Sequence, residues 1–408
     1  MTGIPAPAGA PAPAPARAAA GGAARERAID GLRALAILGV VCGHWLVGGL
    51  SPGADGGLVT DSPLRWSAWL APITWFLQML GLFFLVGGYS AGRSLTRWRD
   101  RGGSDLAWVR RRFVRLAWPV VVAVALVSAA LPVAAWAGVA PATMRTWAVL
   151  VVQPFWFIGV YAVVTALTPL ALKLDRRWGV AAALPMAAAV AVVDILRYGV
   201  AAVPDWAGYV TAVPAWMVTY QIGVAWARGG VSRATAWRLL AGGAALFAVL
   251  LLVAHYPASM VTVPGSTRSN SNPPSLLVVA LAATQSGAAI LLRDRLERLL
   301  HRRHHLWHAV ALLNLCAMTI FCWHQTALVG VTAGATVFGT VPGLTDPPSA
   351  PYWIAERFAW LPLIGLALAA LVAVVHRFEH PVTTLTTRHR VLAVAAVSAF
   401  TAYLLTVY

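Results

Sequence analysis

At 408 residues, 59% of them hydrophobic and only 11% charged, the chain lies outside the composition of water-soluble domains and leaves no room for a large soluble one. The formal net charge of +17 does not point to nucleic acid, because the 31 basic residues fall in short clusters between apolar runs and not along one face. Cys42, Cys316 and Cys322 form an odd set within apolar runs and lack paired ligand spacing, which argues against a disulfide framework and against a zinc site.

The first 24 residues are rich in Ala and Pro and contain no apolar h-region, so they read as a disordered tail and not as a secretory signal. Beyond them, apolar runs of about 20 residues recur, each long enough to cross a hydrocarbon core of roughly 30 Å as a helix. The prediction is an all-α polytopic membrane bundle of about eleven spans, at roughly 29–50, 70–92, 113–138, 147–172, 178–196, 206–227, 236–256, 274–292, 308–335, 353–375 and 390–408. Basic residues fill every second loop: the tail, the run from Arg93 to Arg112, the loop with Lys173, Arg176 and Arg177, and those around Arg228, Arg293 and Arg377. The intervening loops carry Asp55, Asp61, Asp205 and Asp346, so the positive-inside rule predicts a cytoplasmic N-terminus and an external C-terminus. Lys173 is the one lysine of the chain, and this arginine bias with abundant Ala, Gly and Pro suggests a GC-rich bacterial genome.

The first span, RAIDGLRALAILGVVCGHWLVGGL, carries Arg33 and His44 eleven positions apart. At about 100° per residue they share a helix face, with a rise of roughly 16 Å between a cation near one membrane edge and a deep imidazole. A neutral imidazole takes a proton from an attacking hydroxyl near neutral pH, as acyl transfer requires; a buried histidine satisfied by a neighbouring helix is the competing reading. Asp30, one turn before Arg33, is a helix-start residue or its local ion pair. In WVRRRFVRLAWP, Arg112 and Arg115 stand one turn apart, as suits a polyphosphate ligand but equally a topology anchor. His301, His304, His305 and His308 lie in a basic stretch without carboxylate partners and read as a headgroup-facing segment, not a metal site.

These strings resemble the membrane acyltransferase-3 family. The resemblance rests on the Arg33-to-His44 spacing, Arg112 and Arg115 before the third span, FFLVGGY closing the second, the aromatic FWFIGVYAVVTALTP, the late FCWHQ with His324, and FEHP with Glu379 and Pro381. Gly87 stands where that family commonly has Ser, and Gln325 where an aromatic is common. The resemblance implies a ten-helix acyltransferase domain over 25–385, with the tail at 1–24 and one further helix at 386–408. It further implies transfer of an acyl group, usually acetyl, from acyl-CoA to a hydroxyl of a sugar, glycan lipid or secondary metabolite. On that footing Arg33, Arg112 and Arg115 hold the CoA phosphates and His44 is the general base, with Asp30, His324 and Glu379 as supporting residues. Glu379 is expected either to pair with an active-site arginine or to bond locally to Arg377 or a helix end. The competing function is a proton-coupled transporter or flippase of a glycan or lipid, with His44 and His324 relaying protons; a structural scaffold would leave the Arg33 and His44 register unexplained.

Overall fold

The computed structural model describes residues 26–53, 57–199, 204–379 and 386–407. The tail at 1–24, Asp55 and Pro381 lie outside them. The described chain is mostly helical, with irregular loops at 253–275 and 339–352, and its two-stranded antiparallel hairpin, β1 (Gly49–Pro52) paired with β2 (Leu58–Asp61), qualifies the all-α expectation. The helices follow in chain order: α1 (Arg27–Val47), the short α2 (Pro63–Trp66) and α3 (Ile73–Leu77), α4 (Leu80–Asp100), α5 (Asp105–Trp136), α6 (Pro141–Val152), α7 (Phe155–Ala166) and α8 (Thr168–Trp178). Then come α9 (Leu184–Gly199), α10 (Ala212–Ala227), α11 (Arg233–Leu252), α12 (Leu276–Arg302), α13 (His304–Leu315), α14 (Ala317–Ala335), α15 (Trp353–Val375) and α16 (Thr387–Val407).

Among the described residues eight helical stretches are long and apolar enough to cross a membrane, and the bent pair α13 with α14 makes a ninth. The two other expected spans are present as helices outside that number. One is the 16-residue α10, preceded by a 3₁₀ turn at Asp205–Thr211, and the other is α16. The elements differ from the sequence expectation in several places: α4 runs on to Asp100 and α12 to Arg302, and three further departures bear on the site. The fourth span ends at Ala166 and not near 172, because Pro169 is accommodated in the first turn of a new helix, where its missing N–H costs nothing. Lys173, Arg176 and Arg177 are therefore helical, within α8. The third span begins at Asp105, with Ser104 Oγ capping Ala107 N at 3.3 Å, so Arg112 and Arg115 lie inside a 32-residue helix. The ninth span bends by 80° at Cys316.

Burial decides the layout. In the apolar windows of α1 and α4, 67% and 61% of residues are enclosed by protein, against 17% for α11 and α15, so the first pair is central and the second faces lipid. Small residues let backbones meet where burial is deepest. A Cβ at Gly88 of α4 would collide with the Tyr220 carbonyl of α10, and one at Gly223 with the Leu85 carbonyl. The pair α11 and α12 uses the same device, since a Cβ at Gly243 would lie 2.9 Å from the Ala280 oxygen. Helix α16 lies along α5, where Ala396 and Phe400 pack against Val124 and His389 meets the Trp118 ring edge-on at 4.6 Å.

Candidate active site

Two polar centres lie on α1, one at each end of the Arg33-to-His44 face. The first is a cavity of about 330 Å³ where the start of α1, the second half of α4 and the start of α5 converge. Arg33, Arg93, Arg97 and Arg112 line it with Glu26, Asp30, Tyr89, Ser90 and Ser94. Arg33 is held from three helices: Nη1 donates to Asp30 Oδ1 at 2.8 Å and to Asn314 Oδ1 at 3.0 Å, and Nη2 donates to Ser90 Oγ at 2.7 Å. Asn314 in turn donates to the Asp30 carbonyl at 2.8 Å, so the break after α13 presents its last turn to α1. Glu26 pairs with Arg93 and with Arg293 (3.2 Å) and accepts from Tyr89 Oη at 2.6 Å.

Among the described residues Arg97 and Arg112 have no carboxylate partner. Arg112 lies over the Trp108 ring at 4.9 Å, and Trp108 Nε1 is anchored on Ser94 Oγ at 3.1 Å. Four guanidiniums against two carboxylates make a cavity suited to an anion with several oxygens. Arg115, one turn further along α5, is exposed and does not line it.

The second centre lies toward the other end of α1. His44 is partly exposed, and its ring meets His324 of α14 edge-on with centroids 5.0 Å apart. Gln325 Nε2 lies 3.1 Å from His44 Nδ1. His324 is fully buried, and its Nδ1 lies 2.8 Å from the Phe321 carbonyl; a carbonyl only accepts, so the neutral ring carries its proton on Nδ1. Among the described residues its Nε2 has no partner. Trp45 Nε1 donates to the His324 carbonyl at 2.9 Å and ties α1 to α14 beside the pair.

Glu379 joins this centre by a different route from either expectation. It meets no active-site arginine; instead its carboxylate accepts from Thr319 Oγ1 at 2.5 Å and from Trp323 Nε1 at 2.9 Å, locking the helix that presents His324. Between the centres stands an aromatic wall. Phe84 is stacked on Trp216 at 5.2 Å, Phe157 touches Phe321 at 4.8 Å, Tyr161 packs on Phe83 and Phe84, and Phe321 reaches His324 at 5.8 Å. The Tyr161 ring also accounts for Gly87, where a Cβ would lie 2.8 Å from Tyr161 Cε2 and 2.9 Å from its hydroxyl.

Sequence reasoning gave Arg33, His44, Asp30, Arg112 and His324 a place in the site, and the fold distributes them over the two centres. It did not give one to Gln325, Ser90, Arg93, Arg97 or Glu26. Among the described residues no group of three or more His, Cys, Asp or Glu side chains is placed to hold a metal.

Comparison with curated proteins and with solved structures finds no match. The acyltransferase-3 family model, described as an acyltransferase domain, matches residues 26–378, a stretch that contains Arg33, Arg112, His44, His324 and every helix from α1 to α15 and ends one residue before Glu379. The chain belongs to the acyltransferase-3 family of membrane acyltransferases.

Proposed function

We propose that the protein is an O-acyltransferase of a bacterial cytoplasmic membrane that moves an acyl group, acetyl by family resemblance, from cytoplasmic acyl-CoA to a hydroxyl of a glycan, glycolipid or secondary metabolite. The observation that carries this reading is the division of one helix into an arginine-lined cavity around Arg33 and, about 16 Å along the same face, a paired imidazole centre at His44. The cavity takes the phosphates of the donor on Arg33, Arg93, Arg97 and Arg112, and the pantetheine arm runs along α1 toward His44.

At the second centre the acceptor oxygen attacks the thioester carbonyl carbon while its proton passes to His44 Nε2. The carbon–sulfur bond then breaks, and the CoA sulfur leaves with that proton. A base at Nε2 needs its proton on Nδ1; the Gln325 amide nitrogen faces Nδ1 at 3.1 Å, so this tautomer requires the amide to turn over and present its oxygen to the ring. His324, enclosed behind His44, braces the ring, and the bonds from Thr319 and Trp323 to Glu379 hold the helix that presents it.

Purified protein separates binding from chemistry. His44→Ala is expected to bind acyl-CoA with unchanged affinity in a calorimetric titration while its transfer rate falls by about 10² to 10⁴. Normal turnover by His44→Ala would end the catalytic assignment. A proton-coupled transporter would consume no acyl-CoA at all, which distinguishes the competing class.

A further inference from the structure

One intramembrane charge takes no part in the chemistry above. Arg357, in the second turn of α15, is fully buried. Its Nη2 donates to the Gly48 carbonyl at 2.5 Å, and its guanidinium lies over the Trp353 ring at 4.8 Å. Among the described residues Nε and Nη1 have no acceptor, which leaves three N–H bonds of a buried cation unmet. Asp346, on the preceding loop, is the carboxylate whose field reaches Arg357, but no ion pair joins them among the described residues, and Asp346 Oδ1 accepts from Gly343 N at 2.7 Å instead.

Gly48 closes α1 one turn beyond His44, an advance of about 6 Å along the helix. Arg357 thus stands at the end of the bundle opposite the arginine cavity, a short step past the reacting imidazole. Over it lies a roof made by the β1–β2 hairpin and the loop 339–352, which meet where Pro348 packs on Gly49. The loop turns at Gly339 and Gly343, both at positive φ, and Trp360 Nε1 pins the Pro342 carbonyl at 2.9 Å.

A clamp on the end of α1 needs only the one N–H that Gly48 takes. A hydrophobic side chain would fill the site without the cost of desolvating a guanidinium, so the three unmet N–H bonds of Nε and Nη1 call for another explanation. We propose that Arg357 is the acceptor-recognition residue, and that its free N–H groups bind an oxyanion, a carboxylate or phosphate, carried by the unit whose hydroxyl is acylated at His44. This rests on the acyltransferase reading above and specifies the substrate class: an acidic acceptor, with its charge held about one helical turn from the hydroxyl that reacts.

The test compares, by mass spectrometry, glycans, lipids and secreted metabolites from cells carrying the wild-type gene, no gene, Arg357→Gln or Arg357→Lys. A product that gains an acyl mass only with the wild-type gene is isolated and fragmented, and the acylated unit is expected to contain a carboxylate or a phosphate, which the fragment masses tell apart. Arg357→Gln is expected to lower that product about 10- to 100-fold while purified Arg357→Gln protein binds acyl-CoA as the wild type does. Arg357→Lys, which keeps the charge and loses the fork, is expected to fall between them. An acylated unit that is neutral overturns the proposal whatever the variants do, as does full product from Arg357→Gln. Absence of any acylated product from wild-type cells, together with no acyl-CoA binding by wild-type protein, overturns the acyltransferase reading itself.

Discussion

At the scale of single residues, Gln325 carries the most information. It departs from the aromatic residue common after the late Trp-His pair, and the fold places its amide 3.1 Å from His44 Nδ1. Gln325→Leu removes the group that selects the ring tautomer, so turnover is expected to fall about tenfold or more with acyl-CoA affinity unchanged, and stopped-flow transfer assays beside calorimetry measure both. Unaltered turnover in Gln325→Leu would leave His44 without an orienting partner. Arg112 and Arg115 are expected to part company. Arg112→Ala should weaken acyl-CoA binding by roughly one to two orders of magnitude through the loss of a charge-assisted contact, and Arg115→Ala, which removes an exposed side chain outside the cavity, by much less. Equal losses in the two titrations would move the donor site toward the bundle surface. The Arg33 and His44 register is legible in the sequence because both residues sit on one helix, whose geometry is known in advance. Gln325 and Asn314 are not legible in that way: each meets its α1 partner across 281 positions, and no local pattern encodes a contact made only by packing.

At the scale of helices, close approach through glycine makes a sharp prediction. Gly88→Ala forces a methyl into the Tyr220 carbonyl across the α4–α10 contact and is expected to destabilise the protein by about 1 to 3 kcal/mol. Gly242→Ala in α11 meets nothing within 4 Å and is expected to be neutral or stabilising by up to about 1 kcal/mol through helix propensity. Thermal unfolding of both variants in the same nanodiscs checks the contrast, and a stable Gly88→Ala would mean that the two helices separate more easily than their packing implies. The apolar runs themselves are plain in the sequence, since hydrophobicity over about 20 residues is a one-dimensional property. Breaks inside those runs are less plain. The change of helix at Thr168–Pro169 and the 80° bend at Cys316 depend on tertiary contacts such as the Asn314 side chain, which ties the last turn of α13 to the Asp30 carbonyl of α1.

At the scale of the whole molecule, the alternation of basic loops gives a direction to the bundle. Reporter fusions are expected to place the turn after α4, between Asp100 and Asp105, in the cytoplasm and the loop 339–352 outside, which puts the arginine cavity on the donor's side and Arg357 on the acceptor's. A cytoplasmic reporter signal from the 339–352 loop would reverse both assignments. On the acyltransferase reading the protein receives one substrate from each face, and so must also serve as part of the insulation of an energised membrane. Each elementary charge crossing 100 mV of potential releases about 2.3 kcal/mol, so a continuous hydrated thread between the two sides would drain the cell's proton gradient whether or not any acyl group moved. The tier of Phe83, Phe84, Phe157, Tyr161, Trp216 and Phe321 stands across that line between the cavity and the histidines. On the acyltransferase reading proposed above, these rings would act as a dielectric plug, and a slim thioester arm sliding past them would carry its acyl cargo through without opening a wire for protons.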